Sequence, residues 1–307
     1  MPERVLASPP MPEIVWINGH IHPREEAVIS VFDHGFLYGD SIYETVRTSG
    51  GRPFLLQRHL ERLRASAAAL HLDLNRTLEE DRLAVDEALA AAANPESILR
   101  IIVTRGEGDI GYGRDLCRRP STLIYVRPMQ PLQNPDTRPG IKVVILSILR
   151  NDPRTVSPAI KSGNLLNNIL GAHEAEERGV EEGIMLNPAG QVAEGTMTNL
   201  FIVKNGVVRT PPLEDGILPG ITRGFVLELA RETGVPVREE SFPPADLLAA
   251  DEAFLTGTTR AVQPILSVDD VRLGDGRRGP ITYRLMKAFA EAETRLVAAG
   301  DHGATSS

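Results

Sequence analysis

The sequence predicts an α/β (α+β) fold in two domains, and three observations carry that prediction. Its 307 residues are enough for two domains, each burying its own core. Strand-like and helix-like segments are interspersed along the whole length, the strands marked by apolar alternation and the helices by three- and four-residue apolar spacing. One stretch breaks both patterns, where Pro128, Pro131, Pro135 and Pro139 punctuate a run with no apolar period. It divides the chain into a first domain at 1–127, a linker at 128–139 and a second domain at 140–307.

The first domain opens with a polar, proline-rich lead-in, Met1–Pro12, which lacks the basic-then-apolar order of a signal peptide. Ile14–Ile17, Asn18-Gly19 and His20–His22 spell a hairpin, because Asn-Gly supplies the positive φ angles of a tight turn. Ser30–Phe32 reads as a short strand, and Asp33–Asp40, with two glycines and two aromatics, as a loop that lets backbone approach something closely. Ile42–Thr48 alternates as a strand and returns as Pro53–Leu56. A helix follows with Leu56, Leu60, Leu63, Ala67 and Leu70 on one stripe and Arg58, Arg62 and Arg64 on its other faces. Leu78–Ala93 is a second amphipathic helix. Ile98–Thr104 and Thr122–Val126 read as strands around a glycine-rich loop, Arg105–Gly113.

In the second domain, Ile141–Leu149 is a nearly continuous apolar strand of the kind buried on both faces. Asn164–Arg178 is a helix closed by Gly179. Gly183–Leu186 and Gln191–Glu194 form one hairpin, and Leu200–Val203 and Val207–Thr210 another. Ile221–Thr233 reads as a helix ending at Gly234, Ala253–Leu255 as a strand, and Ile281–Ala298 as the last helix. Asp301–Ser307 is expected to fray.

Composition excludes several classes. Charged residues are 24% and apolar ones 42%, an ordinary globular balance. The net charge of -8 argues against a general binder of nucleic acid or anionic membrane. No apolar run approaches the roughly 20 residues that span a bilayer. Cys117 is the only cysteine, so an intrachain disulfide and a cysteine-based metal site are both excluded, and the cytoplasm is the expected compartment.

The chemistry concentrates between Ile160 and Phe201. Lys161 stands between Pro158-Ala159-Ile160 and an apolar helix, where partial burial favours a nucleophilic amine, although a lone lysine is more often a solvated surface group. Glu194 closes a strand, and the helix and hairpin between them are enough chain to fold both toward one site. Gly220-Ile221-Thr222 opens a helix whose free amides can hold an anion. Gly257-Thr258-Thr259 is either a second phosphate nest or a tight turn. Arg62 alone is more often solvated than a ligand. Asp33-His34 has no second histidine at ligand spacing, so no metal is expected. The Gly106 and Gly108 loop lacks a following βαβ unit, which discounts a dinucleotide.

Together these segments resemble the fold-type IV, class IV aminotransferases dependent on pyridoxal 5'-phosphate, over nearly the whole chain from Ile14 to the last helix. Gly35–Glu44 is similar to that family's early signature and His59–Leu63 to the segment of its phosphate-binding arginine, Arg62. Lys161–Asn164 resembles the segment of its Schiff-base lysine, Ala193-Glu194-Gly195 its acid at the pyridine nitrogen, and Gly220–Arg223 and Thr256-Gly257-Thr258 its two phosphate loops. The resemblance implies a cofactor at the domain interface, held by Lys161, Arg62, Glu194, Ile221, Thr222, Gly257 and Thr258, with Lys161 catalytic. It also implies a homodimer acting on small amino and keto acids, with the early loop reaching the partner's site.

Arg105–Gly111, Leu166–Leu170 and Thr210–Leu213 resemble bacterial branched-chain aminotransferases. That likeness implies transfer of an amino group from a branched-chain L-amino acid to 2-oxoglutarate. It places Tyr38, Tyr43, Arg100, Thr259 and Arg260 about the substrate, Arg100 near its carboxylate and Tyr38 able to reach a neighbouring subunit. Three positions depart from that pattern: Leu165 and Ile98 stand where tyrosines are usual, and Arg260 where a small residue is, open to a second carboxylate. A D-amino acid or (R)-amine transaminase, or a 4-amino-4-deoxychorismate lyase, remains an alternative on the same fold.

Overall fold

Two β-sheets organise the chain, and the space between them is where the candidate residues meet. The computed structural model describes residues 13–299, so the expected lead-in and tail lie outside it. The first half contains strands β1 (Ile14–Ile17), β2 (His20–Pro23), β3 (Ser41–Ser49), β4 (Arg52–Pro53), β5 (Ser97–Thr104) and β6 (Ser121–Pro128), with helices α1 (His34–Tyr38), α2 (Leu56–Ala69) and α3 (Leu78–Ala92). Its strands form one antiparallel sheet in the order β2-β1-β6-β5-β3-β4. Helices α2 and α3 cover one face of it. The expected stripe of α2 (Leu56, Leu60, Leu63, Ala67) is buried there against Ile42, Val46, Leu99 and Ile101. Truncating one such leucine to alanine costs about 2–5 kcal/mol. Strand alternation turns the opposite face, with Tyr43, Thr45, Ile98, Arg100 and Arg127, toward the second sheet.

The second half contains β7 (Ile141–Ile145), β8 (Glu182–Leu186), β9 (Val192–Gly195), β10 (Asn199–Lys204), β11 (Val207–Thr210), β12 (Val237–Glu239), β13 (Glu252–Gly257), β14 (Ala261–Val268) and β15 (Val271–Arg272). Four helices accompany them: α4 (Leu166–Glu177), α5 (Ile221–Glu232), α6 (Pro244–Leu248) and α7 (Pro280–Ala299). The strand order runs β12-β11-β10-β13-β14-β7-β8-β9, and β9 also pairs with β10, so the sheet closes on itself. Asn199 lies opposite Glu194 at that closing pair. Two apolar clusters, one around Phe201, Phe225 and Phe289 and one around Ile184, Ile202 and Phe242, fill its two sides. No helix among the described residues is long and apolar enough to cross a membrane. Residues 129–140 carry neither helix nor strand between the two sheets.

Three expectations are corrected. Ser30–Phe32 forms no strand, and the following segment is a helical turn, because the Asp33 carboxylate accepts from the Gly35 amide at 2.7 Å and Gly39 ends the turn at φ 67°. Strand β7 stops at Ile145, short of Leu149, and the irregular chain after it carries Arg150 and Lys161 to the site. Strand β14 went unforeseen because Pro264 sits within it, a residue that weakens any strand reading.

Candidate active site

Lys161 is pinned at its backbone. Its amide donates to Ser66 Oγ at 3.1 Å, and its carbonyl accepts from the Tyr43 amide at 2.9 Å, so β3 and α2 together fix where the side chain starts. Its Nζ lies 4.5 Å from the centre of the Tyr43 ring. The sequence holds four lysines. Lys204 pairs with Asp251 and Lys287 with Asp136, Lys142 is exposed on β7, and only Lys161 lines the cavity between the sheets.

That cavity has a volume of about 460 Å³. At its floor Glu194 is 4% exposed. Its Oε1 accepts from Arg150 Nε at 2.8 Å, and its Oε2 accepts from Asn199 Nδ2 and the Leu218 amide, each at 3.0 Å. Burial pushes the Glu194 carboxyl up from its ordinary range, against the opposing pull of Arg150 and the Leu218 amide. A carboxylate in that state readily shares a proton with a basic nitrogen set against it. Arg150 is itself positioned by Asn167 at 3.0 Å, which links the floor to the start of α4.

At the opposite end Arg62 is clamped. Its Nε and one terminal nitrogen donate to the two oxygens of Glu44 at 2.7 and 2.8 Å, and the other terminal nitrogen donates to the Pro219 carbonyl at 2.9 Å. Glu44 is fully buried, yet its carboxyl is held down at about 2, because Arg62 and His59 outweigh the burial that alone would raise it. His59 Nδ1 meets the same carboxylate at 2.7 Å, and burial lowers the imidazole below its usual range, with Arg62 and Lys161 adding to the effect against the pull of Glu44. A neutral His59 carrying its proton on Nδ1 therefore donates to Glu44.

Beside Arg62, α5 begins at Gly220 without a side-chain cap, leaving the first amides of the helix open to the cavity. Gly220 is required by close approach: a Cβ there would lie 1.9 Å from Asn199 Oδ1. Gly257, Thr258 and Thr259 line the same end. The Thr256 hydroxyl, fully buried, has no hydrogen-bond partner among the described residues.

Of the sequence candidates, Arg62, Lys161, Glu194, Ile221, Thr222, Gly257, Thr258, Thr259, Tyr43 and Arg100 all line this cavity. Two do not. Arg260 turns away, drawn to the Glu181 carboxylate at 3.5 Å and its carbonyl at 3.4 Å. Tyr38 lies outside the cavity of its own chain, its hydroxyl accepting from the Gly111 amide at 3.1 Å and its ring against Tyr112. Arg150, Asn199, Glu44 and Arg127 were not singled out from sequence. A buried carboxylate at a strand end signals a buried cation nearby, but nothing in spacing says which of the arginines it is.

The donor set fits the cofactor expected from the resemblance. A phosphate dianion suits one arginine, open helix amides and an orphaned buried hydroxyl. An aldehyde carbon suits a lysine amine that has no carboxylate partner among the described residues, and a pyridine nitrogen suits a buried carboxylate braced by three donors.

The family model for amino-transferase class IV matches residues 41–268. A Methanocaldococcus jannaschii protein, provisionally named a branched-chain-amino-acid aminotransferase, is 39% identical over 92% of this chain and 96% of its own. The D-alanine aminotransferase of Listeria monocytogenes is 34% identical over 92% of this chain and 96% of its own. Among solved structures, the branched-chain amino acid aminotransferase of Escherichia coli superposes with a TM-score of 0.87 at 32% identity, covering 91% of this chain and 94% of that one.

Proposed function

The chain belongs to the class IV aminotransferases, and from that premise we propose that it moves the amino group of a branched-chain L-amino acid to 2-oxoglutarate. The observation that carries the reading is the single lysine amine facing a cavity that has a buried carboxylate at one end and an anion cradle at the other. The enzyme uses pyridoxal 5'-phosphate, which when bound supplies an aldehyde that reacts with amines and a ring that takes up electron density.

The protein's own residues do the rest. Arg62, held rigid by Glu44, fixes the phosphate end together with the α5 amides and the Gly257-Thr258 loop. Glu194, held by Arg150 and Asn199, would face the cofactor's ring nitrogen and keep a proton there. Lys161 Nζ would take the proton from the substrate α-carbon and hold it for return to the carbon that the cofactor's aldehyde supplies. Tyr43 stacks beneath both the amine and Arg100, which confines the reacting acid to one wall.

We further infer a homodimer in which Tyr38 faces the neighbouring subunit. The support is an exposed apolar surface around it, with Val31, Phe32, Phe36, Leu37, Ile110 and Tyr112. Sedimentation that found an active monomer would overturn this part. The cytoplasm is proposed as the compartment, on the support of a lone free thiol at Cys117.

The test is a half-reaction screen that follows conversion of the cofactor from aldehyde to amine with L-leucine, D-alanine, L-glutamate and an (R)-arylamine. L-leucine and L-glutamate should convert it rapidly. Rapid conversion by D-alanine without L-leucine would select the D-amino acid alternative, and pyruvate formed from aminodeoxychorismate without an acceptor would select the lyase.

A further inference from the structure

A second cavity, of about 350 Å³, shares the β13–β14 turn with the active site: Gly257–Thr259 line the first, Ala261 and Val262 the second. Its other walls are the end of β3, the irregular chain between the two sheets, and α7. The volume is at the small end of ligand cavities, which run from roughly 300 Å³ upward. The lining is apolar at Leu132, Val262, Met286 and Phe289 and cationic at Arg47 and Arg138.

The two guanidiniums carry more donors than the protein supplies with acceptors. Arg47 is 3% exposed. Its Nε donates to the Thr258 carbonyl at 3.0 Å and its Nη1 to Glu293 and the Thr48 carbonyl. Its Nη2 is buried with no partner among the described residues, a cost that an anion's oxygen relieves. Arg138 gives three of a guanidinium's five N–H groups to the carbonyls of Arg260, Val262 and Gln133. Burial lowers the Arg138 guanidinium from its ordinary range, and Arg47 lowers it further against the pull of Glu293, so the two cations are near enough to repel. Glu96, the other carboxylate of the lining, accepts from the Thr48 hydroxyl at 2.5 Å and the Gly50 amide at 2.6 Å. Both cations also hold the turn itself, Arg47 at Thr258 and Arg138 at Arg260. Ala261 closes that turn at φ 46°, a left-handed conformation that persists only where its surroundings enforce it.

We propose that this cavity is a second binding site, for a short aliphatic monocarboxylate, and that its occupancy firms the turn that carries Thr258. The carboxylate bridges Arg47 and Arg138 and relieves their repulsion, while its tail packs against Leu132, Met286 and Phe289. Glu293 and Glu96 disfavour a dianion, and the unmet guanidinium nitrogen disfavours an uncharged ligand. By linkage, a ligand that steadies the turn tightens whatever the turn holds, the cofactor's phosphate included. The site stands whichever amino acid is the donor.

The test loads the protein with pyridoxal 5'-phosphate and aminooxyacetate, whose condensation product fills the places of cofactor and substrate. 4-Methylpentanoate is then titrated by calorimetry while the cofactor's phosphorus resonance is followed. The wild type should bind one molecule per chain, and the resonance should move. Arg138→Met should weaken binding by about fivefold to tenfold, the scale of one partly exposed charge-assisted contact. Ala290→Phe, which puts a ring into the cavity from α7, should abolish it. 4-Methylpentan-1-ol, the same tail without the charge, should not bind. A wild type that does not bind, equal binding of the alcohol, or an affinity unchanged within twofold in either folded variant would overturn the site. Binding with an unmoved phosphorus resonance would overturn its link to the turn.

Discussion

Replacing Arg150 by methionine isolates the cost of keeping Glu194 charged at the cavity floor. The two side chains are 8% and 5% exposed and 2.8 Å apart, and burial already raises the Glu194 carboxyl with the guanidinium in place. Without Arg150 the folded protein escapes a lone buried charge by keeping Glu194 protonated, whereas the unfolded chain ionises it from about pH 4.5 upward. A group with a raised folded pKa contributes stability at low pH that is lost as pH rises. Each pH unit over which folded Glu194 stays neutral while the unfolded chain is charged costs about 1.4 kcal/mol. Between pH 5.5 and 7.0 the variant should therefore lose stability more steeply than the wild type, by up to about 2 kcal/mol, or roughly 3 °C in melting temperature for a chain of this size. Thermal melts of the cofactor-free protein across that range are the assay. A melting deficit that is the same at both ends would refute the reasoning, because a purely steric defect has no pH slope.

Four further outcomes follow from the same geometry. Glu44→Gln should free Arg62 and weaken pyridoxal phosphate binding by about tenfold, the scale of one lost charge-assisted brace, in a fluorescence titration; an unchanged Kd would show that Arg62 needs no clamp. Because the Glu44 carboxyl is held at about 2, its contribution of about 3 kcal/mol is complete above the unfolded value near 4.5 and lost as pH falls between the two, a loss that Glu44→Gln should abolish in acid titrations. His59 titrates the other way round from a paired histidine: its lowered folded pKa makes stability fall as pH drops below the unfolded value of 6.5, and His59→Gln should remove that early limb. Gly220→Ala should drive a methyl into Asn199, which lies 1.9 Å from that position, and so loosen both the Glu194 brace and the start of α5; cofactor affinity unchanged within twofold would contradict this.

How much of this was legible beforehand depended on whether a residue's role is local. The stripe of α2 and the Asn-Gly hairpin are written in adjacent residues, and both formed as expected. Glu194 could be singled out because it closes a patterned strand, and Lys161 because it stands shortly before the apolar segment that becomes α4. Arg150 could not, since it lies in irregular chain and meets Glu194 44 positions away. Arg127 was hidden for a related reason: alone it is an exposed strand residue, and only the β5–β6 register puts it on the cavity wall. Arg260 misled because its place in sequence, next to Thr259, says nothing of the Glu181 carboxylate that draws it away.

The central claim is that Lys161 carries the cofactor and that a branched-chain L-amino acid displaces it. The most direct measurement is borohydride reduction of the pyridoxal-phosphate-loaded protein, with and without prior L-leucine, followed by peptide mass spectrometry. The account predicts a cofactor tag on Lys161 alone, lost when L-leucine is added first. A tag on Lys142, Lys204 or Lys287, or a Lys161 tag that L-leucine leaves untouched, would contradict it.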